Sequence, residues 1–586
     1  MFKLFKNFTK KDIGMIIVSI VLVVFQVWLD LKLPDYMSAI TRLVQTDGAA
    51  MADILRQGGY MLLCAFGSLI SACIVGFLAS NLSANFSYTL RSKVYNKVLN
   101  LSTAEVKQFQ TSSLITRTTN DITQLEMLIS IGLQLLIKAP IMAVWAITKI
   151  LNKSIEWSML TAGCVVILLC VVIGLMLIVL PRFEKVQKLI DKINNVTRES
   201  ITGIRVIRAF NAEKYQENRF EKVNDDLTNM QLFNQKCFAI LNPIMMLVMN
   251  GLTLGIYVIG TYLINNAIIS VKISLFSDMV IFSSYGIQVI MSFLMLAMIF
   301  MMWPRAQISA RRINEVLDCK VSIKDGKDDI KPTEVGTVEF KNVSFKYPDA
   351  DEYLLRNISF KVNKGETIAF IGSTGSGKSS LINLVPRFYD ATDGEVLVDD
   401  VNVKNYSLEE LHNKLGYIPQ KAVMFTGTVK SNVAYGTKKG KKPSDKKVSE
   451  AINIAQAEEF VSKMEGGLDA HIARGGTNVS GGQKQRLAIA RSIARDPEIY
   501  IFDDSFSALD YKTDATLRSE LKKYTKDATS MIVAQRIGTI INADKIVVLD
   551  KGTCVGIGTH QELLKNCEVY KEIALSQLSK EELENA

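Results

Sequence analysis

The sequence predicts a six-helix all-α membrane domain followed by a cytoplasmic α/β P-loop nucleotide-binding domain. Three observations carry that expectation. Six long apolar segments all lie before residue 305, and mean hydropathy over the 586 residues is +0.19. A glycine-rich loop lies between an apolar strand and a helix at Ile368–Ser380. Basic residues gather in alternate loops of the first half, as expected where those loops stay on the cytoplasmic side.

The six segments are expected near Ile13–Leu33, Gly58–Asn81, Leu128–Lys149, Trp157–Leu180, Phe238–Leu263 and Phe276–Met302. Each reaches the ~20 residues that a helix needs to cross a bilayer core. Lys3, Lys6, Lys10 and Lys11 precede the first. Arg91, Lys93, Lys97, Lys107 and Arg117 lie between the second and third, and Arg182, Lys185, Lys188, Lys192, Arg205 and Arg208 between the fourth and fifth. The expected topology therefore puts the N-terminus, both long loops and the C-terminal half in the cytoplasm of a cell that carries the chain as a multi-pass protein of its inner or plasma membrane. No early stretch reads as a cleaved signal peptide.

The two cytoplasmic loops, roughly 45 and 55 residues, exceed ordinary connectors and carry apolar residues at helical spacing. At their tips stand Leu114–Asp121 and Gly203–Glu213, which read either as polar helix–turn–helix surface or as short transverse helices. Asp30, Lys32 and Asp35 close the first span and Lys138 interrupts the third. Such charges face an interior or snorkel toward an end. Methionine is dense in the last two spans (Met245, Met246, Met249, Met291, Met295, Met298, Met301, Met302), as adaptable binding surface or ordinary filler. The eight cysteines contain no C-x-x-C pair, and the three histidines are scattered. That disfavours a disulfide framework and a zinc centre. The net charge of +10 is accounted for by the basic loops, and Lys438–Lys447 reads as a solvated loop, so no nucleic-acid partner is expected. The expected division is a membrane domain at 1–315, a linker at 316–333, a nucleotide-binding domain at 334–575 and a tail at 576–586.

In the second half, Gly372, Gly377, Lys378 and Ser379 satisfy the P-loop spacing, with Ser373, Thr374, Gly375, Ser376 and Ser380 completing the cradle. Glycines let successive N–H groups point at phosphate oxygens, and the helix that follows adds its dipole. Lys378 is placed to reach phosphate and the Ser379 hydroxyl to hold Mg²⁺, so ATP and Mg²⁺ are the expected ligands.

Downstream stretches resemble, in order and spacing, the ATP-binding cassette of ABC transporters. Tyr417-Ile-Pro-Gln420, Val479-Ser480-Gly481-Gly482-Gln483, Ile499-Tyr-Ile-Phe-Asp503 and Ser507-Ala508-Leu509-Asp510 carry the resemblance. With six spans ahead, the chain resembles an ABC exporter half-transporter of the type IV fold. The resemblance implies that Tyr347 stacks on adenine, Gln420 senses Mg²⁺ and the γ-phosphate, and Asp503 holds Mg²⁺. Ser480–Gln483 would complete the partner's ATP site and Asp510 would sit in the loop at the dimer interface. The tip stretches would be coupling helices, and two chains would sandwich two ATP molecules.

Two catalytic positions depart from that pattern. Asp504 stands where the family places Glu, and Gln535 where it places a switch His. Aspartate is one methylene shorter, and a displacement of about 1 Å in a reacting geometry is worth about 100-fold in rate. Glutamine cannot carry a proton or a positive charge. Arg474 also replaces a common Glu ahead of the signature loop. The expectation is a degenerate ATP site in this chain. The signature loop would complete a competent site on a second half-transporter with intact catalytic Glu and switch His, as in bacterial heterodimeric multidrug exporters. Asp504, Gln535 and Gln420 are the expected catalytic-position residues, and the cargo is an amphipathic compound or drug leaving the cytoplasm through the bilayer. The alternatives are a homodimeric lipid or peptide exporter, or a non-pumping regulatory module. No peptidase domain with Cys and His is read ahead of the first span, which disfavours peptide processing.

Overall fold

A computed structural model describes residues 1–577 apart from 7, 47, 49, 152–154, 327–331 and 439. Parts of the expected linker (327–331) and tail (578–586) thus lie outside the described residues. The chain forms two compact units, one of residues 1–99 and 111–319 and the other of 100–110 and 320–586.

The first unit is helical. After a single-turn helix at Phe2–Phe5, its elements are α1 (Lys10–Val44), α2 (Met51–Leu99), α4 (Thr111–Thr118), α5 (Asn120–Leu151), α6 (Ile155–Thr202), α7 (Ile204–Ala209), α8 (Glu213–Ala239), α9 (Leu241–Asn266) and α10 (Ile269–Asp318), while α3 (Thr103–Phe109) belongs to the second unit. Among the described residues six helical stretches are long and apolar enough to span a membrane, and each contains one expected span. They run well beyond it at one or both ends; α2 has 49 residues and α6 has 48. Thr9 starts α1 with a capping box, its hydroxyl accepting from the Asp12 N–H while Asp12 accepts from the Thr9 N–H. Pro34, Pro140, Pro181 and Pro304 sit inside helices, and the Asp30 carbonyl that Pro34 frees accepts from Gln288 Nε2 of α10 at 3.5 Å.

Helix α1 packs along α2, and α5 along α10. Val27, Ala146, Trp157, Leu252, Phe282 and Val289 form the buried centre. The Trp157 indole donates to the Ile256 carbonyl at 3.2 Å, so its N–H is not left bare. A Cβ on Gly260 would stand 2.5 Å from the Met279 sulfur, which explains glycine at that close helix approach. Leu63, Phe77, Leu177 and Leu247 stay largely exposed, an apolar exterior that suits lipid.

The charges in the spans do not snorkel alone. Lys138 Nζ lies 3.0 Å from the Asp30 carboxylate, which also accepts from the Ser68 hydroxyl. Lys149 lies 2.9 Å from Asp35, and the Tyr285 hydroxyl donates to Asp35 at 2.7 Å. These contacts tie α1 to α2, α5 and α10.

The second unit is α/β. Strands β1 (Val338–Phe345), β2 (Leu355–Val362), β4 (Asp393–Val398) and β5 (Val401–Asn402) form an antiparallel sheet in the order β2-β1-β4-β5. Strands β3 (Thr367–Gly372), β6 (Leu415–Ile418), β7 (Ile499–Asp503), β8 (Thr529–Val533), β9 (Lys545–Asp550) and β10 (Thr553–Gly558) form a second sheet in the order β10-β9-β3-β8-β7-β6. All its pairings are parallel except β9 with β10. Near-continuous apolar runs such as Ile368–Ile371 are what strands covered on both faces require. The helices that position the site are α11 (Lys378–Ile382), α12 (Gly481–Ala494), α13 (Tyr511–Tyr524), α14 (Ile537–Ile540) and α15 (Glu568–Leu575).

The two units differ from a contiguous division in one respect. The short α3 clusters with the α/β unit although α2 and α4 on either side belong to the helical one. The stretch Leu114–Asp121 spans the end of α4, a break at Thr119 and the start of α5, a helix–turn–helix as one of its two readings allows. A further turn sits upstream, where Gln110 adopts φ 57°.

Neutralising one member of the Asp30–Lys138 pair leaves a largely buried charge alone. The expected cost of Asp30→Asn or Lys138→Met is about 1–3 kcal/mol, discounted for partial exposure. The double variant should recover most of it. Thermal unfolding of the detergent-solubilised chain measures this; equal loss in single and double variants would contradict the pairing.

Candidate active site

Parallel pairing places three strand ends side by side. Val533 at the end of β8 is in register with Asp503 at the end of β7 and with Phe370 near the end of β3. The loops after these strands therefore open at one carboxyl edge, where open α/β sheets bind ligands. A cleft of about 350 Å³ lies there, lined by Leu354, Thr374, Gly375, Gly377, Lys378, Ser379, Ser380, Gln420, Asp504, Val533 and Gln535.

The loop after β3 is built by its glycines. A Cβ on Gly372 would meet the Leu549 carbonyl oxygen at 2.0 Å, so only glycine lets the loop pass β9. Gly377 precedes α11 at φ 95°, and a Cβ there would meet Leu355 at 2.5 Å. The Lys378 ammonium donates to the carbonyls of Gly372 and Ser373, both at 2.8 Å, and lies 3.4 Å from the Ser376 hydroxyl. Lys378 thus crosses its own loop, and burial pulls its pKa below the usual lysine range against the opposing pull of Asp504 and Asp503.

Oxygen donors converge beside it. The Ser379 hydroxyl donates to Asp503 Oδ1 at 2.6 Å. Burial pushes the carboxyls of both Asp503 and Asp504 above the usual aspartate range. A hydroxyl and a carboxylate side by side suit a hard cation such as Mg²⁺, which takes one or two protein oxygens and completes its shell from phosphate and water. Among the described residues no cluster of three or more His, Cys, Asp or Glu would hold a metal by itself.

Asp504 has left-handed backbone at φ 47°, fixed by its N–H donating to the Val533 carbonyl at 3.1 Å. That turn aims its carboxylate at two amides. Gln535 Nε2 donates to Asp504 Oδ2 at 2.8 Å, and Gln420 Nε2 lies 3.3 Å from the same oxygen. Both glutamines and the aspartate thus meet at one atom.

Tyr347 does not line the cleft, but its hydroxyl is 2.8 Å from the Ser380 hydroxyl at the cleft wall. Tyr389 stands edge-on to the Tyr347 ring at 5.2 Å, and the Lys107 ammonium of α3 lies 5.7 Å from the Tyr347 ring centre. Neither Lys107 nor Tyr389 was legible as part of this neighbourhood, because they are distant in sequence and no motif contains them. Leu354 and Val533 were also missed, being plain strand-flanking apolar residues.

Ser480, Gly481, Gly482, Gln483 and Asp510 lie elsewhere. Ser480 caps α12 and forms a reciprocal box, its N–H donating to Gln483 Oε1 at 2.8 Å. The first turn of α12 carries no acidic residue, so its N-terminus keeps its positive end for an anion. A Cβ on Gly482 would stand 3.2 Å from the Ala508 carbonyl, which brings the signature loop against the Ser507–Asp510 loop. Asp510 caps α13, accepting from the Thr513 N–H at 3.0 Å, a bond that holds its carboxyl below the usual range. None of these five residues lines the P-loop cleft of the same chain. Arg474 is exposed on the single turn Arg474–Gly476.

Known proteins match this arrangement along most of its length. The family described as ABC transporter transmembrane region matches residues 16–293, and that described as ABC transporter matches residues 355–507. An uncharacterized ABC transporter ATP-binding protein of Mycobacterium tuberculosis is 37% identical over 554 residues, 92% of this chain and 93% of that protein. A Bacillus subtilis protein provisionally named a multidrug export ATP-binding/permease protein is 31% identical over 504 residues, 83% of each. A solved structure of a bacterial Atm1-family ABC exporter with ATP bound superposes with a TM-score of 0.82 at 24% identity, covering 97% of this chain and 100% of that one.

The glycines of the loop are expected to respond unequally. Gly377→Ala must displace Leu355 and occupy a left-handed backbone, at a cost of about 1–2 kcal/mol for the backbone alone. Gly375→Ala meets nothing within 4 Å and carries only the backbone cost at φ 86°. Without nucleotide, thermal unfolding of the cassette should fall further for Gly377→Ala; equal shifts would contradict the packing account.

Proposed function

The chain belongs to the ABC transporter family, and we propose that it is the half of a heterodimeric exporter whose own P-loop retains ATP while hydrolysing it slowly. Hydrolysis of ATP coupled to transport is the activity of the family, and this chain is an ATP-driven ABC exporter chain with a multi-pass membrane unit. The finer reading rests on one observation: Gln535 and Gln420 both direct amide nitrogens at Oδ2 of a short carboxylate, Asp504.

Attack of water on the γ-phosphoryl group needs the nucleophile oriented and its proton accepted, and a stabiliser for charge that develops in the transition state. Asp504 stands a methylene behind the position from which a glutamate would act. Its Oδ2 is engaged by two amide donors, which oppose the upward push of burial on its carboxyl and occupy the oxygen that would face the attacking water. Gln535 offers an amide dipole, with no proton to give and no charge. The binding machinery is complete by contrast. The loop from Gly372 to Ser380 would cradle phosphate and Lys378 neutralise it, while Tyr347, outside the cleft lining but bonded to Ser380 at its wall, would offer its ring to the base. Ser379 and Asp503, with Gln420, would hold Mg²⁺, which when bound offsets phosphate charge.

Ser480–Gln483 keep a free helix N-terminus away from the chain's own cleft. In this reading they complete a second site, on the P-loop of a partner half-transporter with its own catalytic Glu and switch His. Two copies of this chain would hold two slow sites, so a homodimer pumps poorly. The cargo is an amphipathic compound, consistent with the apolar, methionine-rich spans and with the multidrug-export name of one relative. The basic loops support a cytoplasmic cassette in a cell membrane.

Turnover of the purified chain tests this. Alone it should hydrolyse ATP slowly, and co-purification with its partner should restore robust activity. Asp504→Glu with Gln535→His should raise the chain's own rate by about 100-fold, the scale of a 1 Å correction. Robust hydrolysis by the unaltered chain alone would overturn the asymmetric reading.

A further inference from the structure

The backbone that carries Gln535 is held from an unexpected place. Gln577, two residues beyond the end of α15, reaches back across the cassette to the loop after β8. Its Nε2 donates to the Gln535 carbonyl at 2.8 Å, and its Oε1 accepts from the Ile537 N–H at 2.8 Å. One side-chain amide thus grips both sides of Arg536.

Both contacts answer a local need. Ile537 opens α14, a helix of four residues, and Arg536 at its N-cap supplies no side-chain bond to the first turn. The Ile537 N–H is one of the donors that a helix start leaves without an internal partner. Gln577 fills that role, and its amide hydrogen satisfies the carbonyl of the residue whose own side chain faces Asp504. A backbone locked on both sides of Arg536 fixes where the Gln535 side chain starts, and so which atoms its amide reaches.

The clamp has a rigid base. Helix α15 is pinned by Tyr570 and Ala574, both fully buried, in one cluster with Ala534 and Ile537. The residues on either side of Gln535 therefore share a core with the helix that carries the clamp. The Gln577 N–H donates in turn to the Ala574 carbonyl at 3.1 Å, which extends the last turn and sets the height of the side chain. The chain of contact runs from Ala574 through Gln577 and Gln535 to Asp504 Oδ2 without a gap in hydrogen bonding.

We infer that Gln577 is a positioning residue for Gln535, acting from the C-terminal segment to hold the switch-position amide toward Asp504 and the nucleotide phosphates. It touches neither, and it acts only through the loop. The inference rests on the reading that places Gln535 against the nucleotide, but not on how slowly the site hydrolyses ATP.

The test is release of a fluorescent ATP analogue, with Mg²⁺, from the full-length chain in lipid nanodiscs. Gln577→Ala loses both bonds and should speed release about tenfold, the scale expected for two ordinary hydrogen bonds. Gln577→Glu keeps the acceptor and loses the donor, and should fall between. In a Gln535→Ala background the Gln577→Ala change should have little further effect, because the residue it positions is gone. Amide exchange should quicken at 534–540 in Gln577→Ala while Ile368–Ile371 stays protected. Unchanged release, or effects of the two substitutions that simply multiply, would overturn the inference. If Gln577→Ala fails to fold, Gln577→Glu decides between the same outcomes. Rapid hydrolysis by the wild-type chain alone would sink the slow-site reading yet leave the coupling of Gln577 to Gln535 to be judged on release.

Discussion

Placement of β3 between β8 and β9 in a parallel sheet is the constraint on which the cassette depends. Parallel strands end at the same edge, so the phosphate loop, the Asp503–Asp504 turn and the Gln535 loop open on one cleft without any long reach. Register does the rest. With Val533 opposite Asp503, the Asp504 N–H meets the Val533 carbonyl, and the turn this makes throws the carboxylate toward Gln535. A slip of one residue along β8 would turn alternate side chains to the other face and separate these groups. The fully buried apolar strand residues are therefore as much a part of the site as the polar ones.

How legible this was depended on the range of the interaction. The six spans and the P-loop were readable because composition and local spacing encode them: a run of apolar residues or a pair of glycines carries its meaning within a few residues. Capping boxes at Thr9 and Ser480 are likewise local. Convergence of Gln420, Asp504 and Gln535 on a single oxygen was not readable from composition, since it depends on sheet order. The resemblance to a cassette named those residues without giving the contact. Gln577 was invisible altogether, because no motif contains it and its partners lie some forty residues upstream. The break before α4 was missed for another reason. Gln110 takes a left-handed φ without being glycine, so the sequence offers no turn signal there, while the apolar spacing continues through Leu114 and suggests unbroken helix.

The spans teach the same lesson about charge. Asp30, Lys32 and Asp35 cluster at the end of the first span and Lys138 interrupts the third, readings that left facing an interior and snorkelling both open. Helix packing pairs Asp30 with Lys138 and Asp35 with Lys149, with Tyr285 and Ser68 filling the remaining valences. A charge in an apolar span is tolerable when it is paired, and the partners here come from α1, α2, α5 and α10. The ties are thus interhelical, and they specify which helices meet more than they add net stability.

The proposed retention without rapid hydrolysis rests on what the cleft groups can do in the transition state. On the proposed reading, backbone N–H groups, Lys378 and two glutamine amides would meet phosphate oxygens already in the ground state. Only interactions that strengthen as the bond to the leaving group breaks raise the rate, and uniform binding merely tightens the complex. A histidine that gains a proton, or a longer carboxylate that meets the attacking water, can respond to the developing charge. An amide dipole fixed by Gln577 and shared with Asp504 responds far less. On the proposed reading, Asp504 and Gln535 in place of two responsive groups would slow turnover while leaving affinity largely in place. The same reading gives the opposite role to a loop that keeps its helix N-terminus clear of this cleft: it would serve a phosphate held by another chain.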